Sequence, residues 1–139
     1  MTSTQTSIPP TRPRPTPDEQ SGPYWEGLRD GRVLIQACTS CGRRRFPATP
    51  GCPYCADPGL RWEEAAGTGT VYSFINVHRP FDAAFADDVP YAVATIDLDG
   101  GGRMVGRVTG ATEIGARVSP AFVDHGDWTE LRFRLAGEL

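Results

Sequence analysis

The sequence contains no lysine: its 14 cationic side chains are all arginine, set against 17 acids for a formal net charge of −3. That one-sidedness reads as a coding bias rather than a chemical requirement, and the net charge excludes a chain that binds polyanions through its overall field. Histidine is scarce as well, with only His78 and His125. There is no G-x-S-x-G, H-E-x-x-H or phosphate-loop pattern, and the acids are scattered over turns and solvent faces. No set of nucleophile, base and orienter can be assembled, so catalysis by this chain alone is not expected. No apolar run approaches the roughly 20 residues that span a bilayer. The N-terminal stretch also lacks the basic-then-apolar order of a secretory signal, so the sequence places the chain in the cytoplasm, with no membrane role.

Glycine and proline are abundant, 16 and 13 of 139 residues, beside a modest hydrophobic fraction of 39%. Such a chain makes one typical domain, or a small module stapled to a slightly larger one, built from short strands and turns rather than long helices. All four cysteines fall in "CTSCGRRRFPATPGCPYC", as two C-x2-C pairs separated by ten residues: Cys38, Cys41, Cys52 and Cys55. In a reducing compartment paired cysteines are metal ligands rather than disulfides. Two knuckles that each turn two thiolates to one point complete the tetrahedron that Zn2+ accepts. Gly42 suits the positive φ of the first knuckle turn, and Pro53 restricts the backbone of the second. Four sulfur ligands leave no open coordination position, so a structural zinc ribbon is expected and not a water-activating site. The alternative is a rubredoxin-like iron centre for electron transfer, since "CPYC" resembles a rubredoxin knuckle; against it, the second knuckle runs into "ADPG" instead of an immediate glycine.

Around the ribbon the chain divides into four parts. Residues 1–17 carry five prolines and little to bury, which predicts a disordered tail. Residues 18–37 read as a short helix over 18–30, with Tyr24, Trp25 and Leu28 at helical spacing, then a strand over "RVLIQA". The ribbon takes 38–60, and 61–139 reads as β throughout. In that last part "WEEAAGTGTVYSF" is expected as a long bent first strand, and the alternation of "GTVYSFINVHR" sets Val71, Ser73, Ile75 and Val77 on one face. "PYAVATIDLD" sets Ala92, Ala94, Ile96 and Leu98 on one face, a "DGGGR" turn returns "RMVGRVTG", and "ARVSPAFVD" and "WTELRFRLA" follow the connector "ATEIG". Five strands with the connector between the third and fourth give the order of an OB-type barrel. The fold class is therefore mainly β: an N-terminal helical segment, a rubredoxin-like zinc ribbon and a five-stranded OB-fold barrel.

A ribbon beside such a barrel invites a nucleic-acid reading, but the barrel carries 7 Arg against 12 acids, a formal charge of −5. Phosphate binding needs a basic track, so no nucleic-acid partner is expected. The loop "HRPFDAAFADDVPY", residues 78–91, is longer than a simple turn and holds Phe81 and Phe85. Apolar residues on a long loop point to a lid or a docking surface, and Tyr24 and Trp25 on a helix too small to bury them pose the same choice. His125, in "DHGD", reads as a turn residue.

The order of "YWEGLRDGRVLIQACTSCGRRRFPATPGCPYC", "GTVYSFINVHRPF" and "VPYAVATIDLDGGGRMVGRVTG" resembles the rubredoxin-like zinc-ribbon plus OB-fold family of acyl-CoA-associated proteins, long catalogued as a domain of unknown function. The likeness runs from Tyr24 to Phe133. It implies an accessory subunit that docks on a thiolase-fold or lipid-transfer-type enzyme in a hetero-oligomer and helps bind or channel a CoA thioester. The catalytic residues then lie on the partner, and in some pairs the reaction is retro-aldol cleavage of a steroid side-chain acyl-CoA. Carried over by position, the four cysteines are the metal ligands. The expected contact residues are Tyr24 and Trp25 on the helix and His78, Arg79, Phe81 and Phe85 on the loop, while Arg43, Arg44 and Arg45 offer charge to the phosphates of CoA. The likeness transfers no catalytic residue.

Overall fold

A computed structural model describes residues 13–136 of the chain. The tail expected over 1–17 therefore lies outside the described residues up to residue 12, and residues 13–17 form neither helix nor strand. Helix α1 spans Gly22–Arg29, shorter than the expected 18–30. The residues before it turn instead, because the Asp18 carboxylate accepts the backbone N–H groups of Gln20 (3.0 Å) and Ser21 (2.8 Å). Pro23 sits in the first helical turn, where its missing N–H costs no hydrogen bond, and so helps to start the helix.

Strands β1 (Val33–Cys38), β2 (Arg44–Arg45) and β3 (Leu60–Ala65) form an antiparallel sheet in the order β2-β1-β3. Here the structure corrects the single bent strand expected from "WEEAAGTGTVYSF". Its first part is β3, paired with β1 from Val33↔Ala65 to Cys38↔Leu60 and so part of the ribbon. Gly67, at φ 80°, turns the chain away, and only then does the barrel begin.

The barrel consists of β4 (Gly69–Val77), β5 (Tyr91–Leu98), β6 (Arg103–Thr109), β7 (Arg117–Asp124) and β8 (Thr129–Leu135). It closes in the order β4-β5-β6-β8-β7, with β7 returning to β4 at Gly69 and Thr70 and with β6 and β8 parallel. This is the five-stranded OB fold the segment order predicts. Ala92, Ala94, Ile96 and Leu98 are buried on one face of β5, as their alternation requires. In β4 the alternation breaks. A bulge shifts the register between Val71 and Ser73, and Ile75, expected on the face of Val71, is 64% exposed while Val77 is buried as expected.

One continuous core joins the parts. Phe133, Ile96, Met104, Val71 and Val118 fill the barrel, and Leu28, Val33, Ile35 and Ala65 extend the same cluster under the helix and ribbon. Fully burying a side chain the size of Phe133 contributes about 2–3 kcal/mol, so helix, ribbon and barrel hold one another in register. Among the described residues no helix is long and apolar enough to cross a membrane.

Candidate functional site: a four-cysteine metal centre

Strand β1 ends on Cys38, whose N–H donates to the carbonyl of Arg43 (2.9 Å). The chain turns tightly enough for the Gly42 N–H to reach the carbonyl of Cys38 (2.9 Å), and in the second knuckle the Ala56 N–H reaches that of Cys52 (2.8 Å). The two turns are copies of each other: Gly42 has φ 78° and Ala56 has φ 69°, the one non-glycine at positive φ among the described residues. Backbone N–H groups point at the sulfurs, those of Ser40 and Cys41 at Cys38 Sγ (3.3 and 3.4 Å) and that of Tyr54 at Cys52 Sγ (3.4 Å).

These turns bring the four Sγ atoms within 4.8 Å of one another, with Cys38–Cys55 and Cys41–Cys52 each at 3.6 Å. Sulfurs at about 2.3 Å from a tetrahedral ion stand roughly 3.8 Å apart. The cysteines are thus positioned to bind a metal ion, with Cys38 and Cys52 buried and Cys41 and Cys55 facing out. Their protons reflect the crowding. The N–H of Cys41, with that of Ser40, holds the Cys38 thiol below its usual range. Burial opposes ionisation of Cys52, yet the N–H groups of Tyr54 and Cys55 bring it down to about 6. An N–H from Asp57 favours the Cys55 thiolate, but burial and the neighbouring sulfurs push Cys55 up to about 12. Negative charge gathered here calls for a cation, and an ion held by four sulfurs keeps no position for substrate or water.

The candidate contact residues do not form one patch. The three arginines part company: Arg44 and Arg45, neighbours on β2, face opposite sides, and Arg43 lies in the knuckle turn before the strand. Arg43 is exposed, its guanidinium 4.8 Å from the Tyr54 ring centre. Arg44 is committed to Glu63 (2.9 Å) and the Gly101 carbonyl (3.2 Å). Arg45 is only 4% exposed and bonds Gln36 Oε1 (2.9 Å), which withdraws it from any cluster meeting CoA phosphates. Tyr24 is buried too and is withdrawn from the docking surface, because a helix this short leans its aromatic side on the ribbon. Its ring lies 5.4 Å from that of Phe46 and 4.9 Å from that of Trp25, and burial, with the Glu130 carboxylate, raises its phenol pKa. Trp25 is half-buried, edge-on to Trp128 at 6.0 Å.

At the loop His78 and Arg79 are exposed and Phe81 is 81% exposed. Phe85 closes a 3-10 turn, Ala83–Phe85, half-buried with the Arg107 guanidinium 5.5 Å from its ring. Arg107 also covers Tyr91 (3.8 Å) and pairs with Asp88 (3.0 Å), tying the loop base to β6. Arg44 reaches the turn beyond the Leu98 end of β5, while the loop leaves from the Tyr91 end. At about 3.3 Å per residue the two regions stand roughly 23 Å apart.

A cluster missed in the sequence centres on His125. Its ring stacks on Trp128 at 4.3 Å, and its Nε2 lies 2.8 Å from Glu130 Oε1, which also accepts Arg132 Nη2 (3.0 Å). Burial opposes ionisation of Glu130, yet Arg132 and His125 hold its carboxyl below the usual range. The available signal was the two-residue spacing of Glu130 and Arg132, which share one face of β8, with Trp128 just before it.

Comparison with known proteins agrees with this architecture. Residues 25–61 match the model of the ChsH2 rubredoxin-like zinc ribbon domain and residues 62–123 that of the ChsH2 C-terminal OB-fold domain. The chain is 36% identical over 124 residues to a probable enoyl-CoA hydratase alpha subunit of Thermomonospora curvata, covering 86% of this chain and 36% of that protein. It is 28% identical over 120 residues to the 3-oxo-4,17-pregnadiene-20-carboxyl-CoA hydratase alpha subunit of Mycobacterium tuberculosis, covering 84% of this chain and 38% of that protein. The chain thus spans little more than a third of these two relatives. A DUF35 domain-containing scaffold protein of Methanothermobacter thermautotrophicus is 30% identical over 102 residues, 73% of this chain and 71% of that one. Among solved structures, a chain of the Ltp2-ChsH2(DUF35) aldolase superposes with a TM-score of 0.76 at 35% identity, covering 88% of this chain and 99% of that chain. With ribbon, barrel and cysteine geometry all in agreement, the chain belongs to the DUF35 family of ChsH2-type zinc-ribbon and OB-fold proteins.

Proposed function

We propose that this chain is a non-catalytic accessory subunit that docks on a thiolase-fold or lipid-transfer-type enzyme and helps bind or channel an acyl-CoA thioester, the partner supplying the catalytic residues. The observation that carries this reading is the match at 35% identity to 99% of a chain of the Ltp2-ChsH2(DUF35) aldolase. The name of the mycobacterial relative supports a steroid side-chain CoA ester as substrate, and that of the solved aldolase supports retro-aldol cleavage as the partner's reaction. Phe81, 81% exposed on a loop anchored through Arg107, suits an apolar anchor on a rigid base. Arg43 is the one of the three consecutive arginines left facing solvent for a phosphate. With loop and ribbon roughly 23 Å apart, engaging both asks for a macromolecular surface more than for one small ligand.

The ion is Zn2+, held by Cys38, Cys41, Cys52 and Cys55 as a structural centre, in a cytoplasm that keeps the thiols reduced. The deciding experiment co-expresses the chain with a candidate thiolase-like enzyme and measures the mass of the purified species by light scattering. A stable hetero-oligomer that cleaves acyl-CoA is expected; two separate proteins would sink the proposal. Metal analysis of the same sample is expected to find one zinc per chain and no iron.

A further inference from the structure

Strands β4, β5 and β6 turn one face to the barrel core and the other outward. Their pairing sets Ser73, Thr95 and Val105 in one row across the outer face and Ile75, Val93 and Arg107 in the next. A third row holds Asp97 and Arg103, whose guanidinium also covers the Tyr72 ring at 3.7 Å. Ile75 is 64%, Val105 52% and Tyr72 50% exposed, so apolar side chains of this face stand together in water. Its charged groups are already paired within the chain, Arg103 with Asp97 (2.6 Å) and Arg107 with Asp88 (3.0 Å).

An OB barrel commonly meets its ligand on the face of its second and third strands, here β5 and β6. Single-stranded nucleic acid needs free cations and uncovered rings there, whereas these guanidiniums are paired and Arg103 caps Tyr72. We infer that the outer face of β4, β5 and β6 is a docking surface for an uncharged, apolar patch of the partner enzyme, an inference that rests on the accessory-subunit reading. Neutrality sets the partner's chemistry, because a charge pressed against Ile75 or Val105 would be desolvated without a counter-ion. Tyr72, Ile75 and Val105 expose on the order of 300 Å2, the size of a functional patch on a monomer. That is well below the roughly 800 Å2 per partner of a standard interface, so the face by itself is too small to hold two copies of this chain together. Two barrels of 7 Arg against 12 acids also repel each other. With the partner enzyme the remaining area comes from the neighbouring loop, since β4 runs from Ile75 through Val77 straight into the segment that carries Phe81.

The test measures the affinity of the metal-loaded full chain for the candidate thiolase-like enzyme by calorimetry. Val105→Asp and Val105→Arg are each expected to weaken binding at least thirtyfold while leaving the urea midpoint of the free chain unchanged. Equal losses for both signs mark an apolar partner surface; a loss for one sign only would assign the face to a charged partner and overturn the inference. Ile75→Thr keeps a neutral, β-branched residue on the strand, so it guards against misfolding, and it is expected to weaken binding at least fivefold. If the parent chain binds and these variants bind as well as it does, the face is not the docking surface although the accessory-subunit reading stands. If the parent chain does not bind, that reading falls and this inference with it. Light scattering of the free chain is expected to show a monomer, and a dimer that Val105→Asp dissolves would give the face to a second copy and overturn the inference.

Discussion

The paired knuckles allow a substitution experiment with opposite signs at equivalent positions. Gly42 and Ala56 both occupy the left-handed region, at φ 78° and 69°, and both donate their N–H to the carbonyl of the preceding knuckle's first cysteine. An L-residue there suffers a clash between its Cβ and carbonyl oxygen of about 1–2 kcal/mol, partly offset by the roughly 0.4–1 kcal/mol lower chain entropy of alanine when unfolded. A Cβ added at Gly42 would meet nothing within 4 Å, so the cost of Gly42→Ala is backbone strain alone. Gly42→Ala is expected to destabilise the metal-loaded ribbon by about 1 kcal/mol and Ala56→Gly to stabilise it by a similar amount. The two variants then differ by about 2 kcal/mol, or roughly thirtyfold in metal affinity. Competition with a chromophoric chelator measures that ratio, and urea midpoints of the metal-loaded proteins give an independent reading. If Ala56→Gly weakened metal retention, or if both variants matched the parent, the equivalence of the two turns would be wrong.

Other perturbations test the core, the loop and the charges. Phe133→Ala, at a fully buried position, is expected to cost about 3–5 kcal/mol in urea denaturation; a loss below 1 kcal/mol would mean that the barrel core repacks around the gap. Phe81→Ala is expected to leave stability within about 0.5 kcal/mol, since its ring is exposed, while weakening partner binding at least tenfold by calorimetry. Retained affinity would remove the loop from the docking surface. Glu130 has a depressed carboxyl pKa, so its contribution to stability is present above the ordinary range near pH 4 and is lost as pH falls through the folded value. The urea midpoint is therefore expected to fall on acidification, with a shallower slope in Glu130→Gln; identical slopes would show that the His125–Glu130–Arg132 cluster does not report on folding.

Much of this protein was readable in its residues because the deciding signals are local. Cysteine spacing brings two thiolates to a point whatever else the chain does, and the alternation in "PYAVATIDLD" names the buried face of β5, since a strand has one periodicity. The barrel order followed from strand count and the place of one connector. Tertiary structure decided what depends on partners distant in the chain. Strand β3 went to the ribbon because β1 offered it a full ladder, and in the bulged β4 Ile75 faces outward against its apparent pattern. Three consecutive arginines that look alike in sequence received three fates, solvent for Arg43, Glu63 for Arg44 and burial beside Gln36 for Arg45. Charge and polarity are properties of a residue, whereas desolvation and hydrogen-bond partners belong to the place the fold assigns it. Sequence alone therefore determined most of the elements and the four-cysteine pattern, and only packing decided which sheet β3 joined and which side chains remained free to meet another molecule.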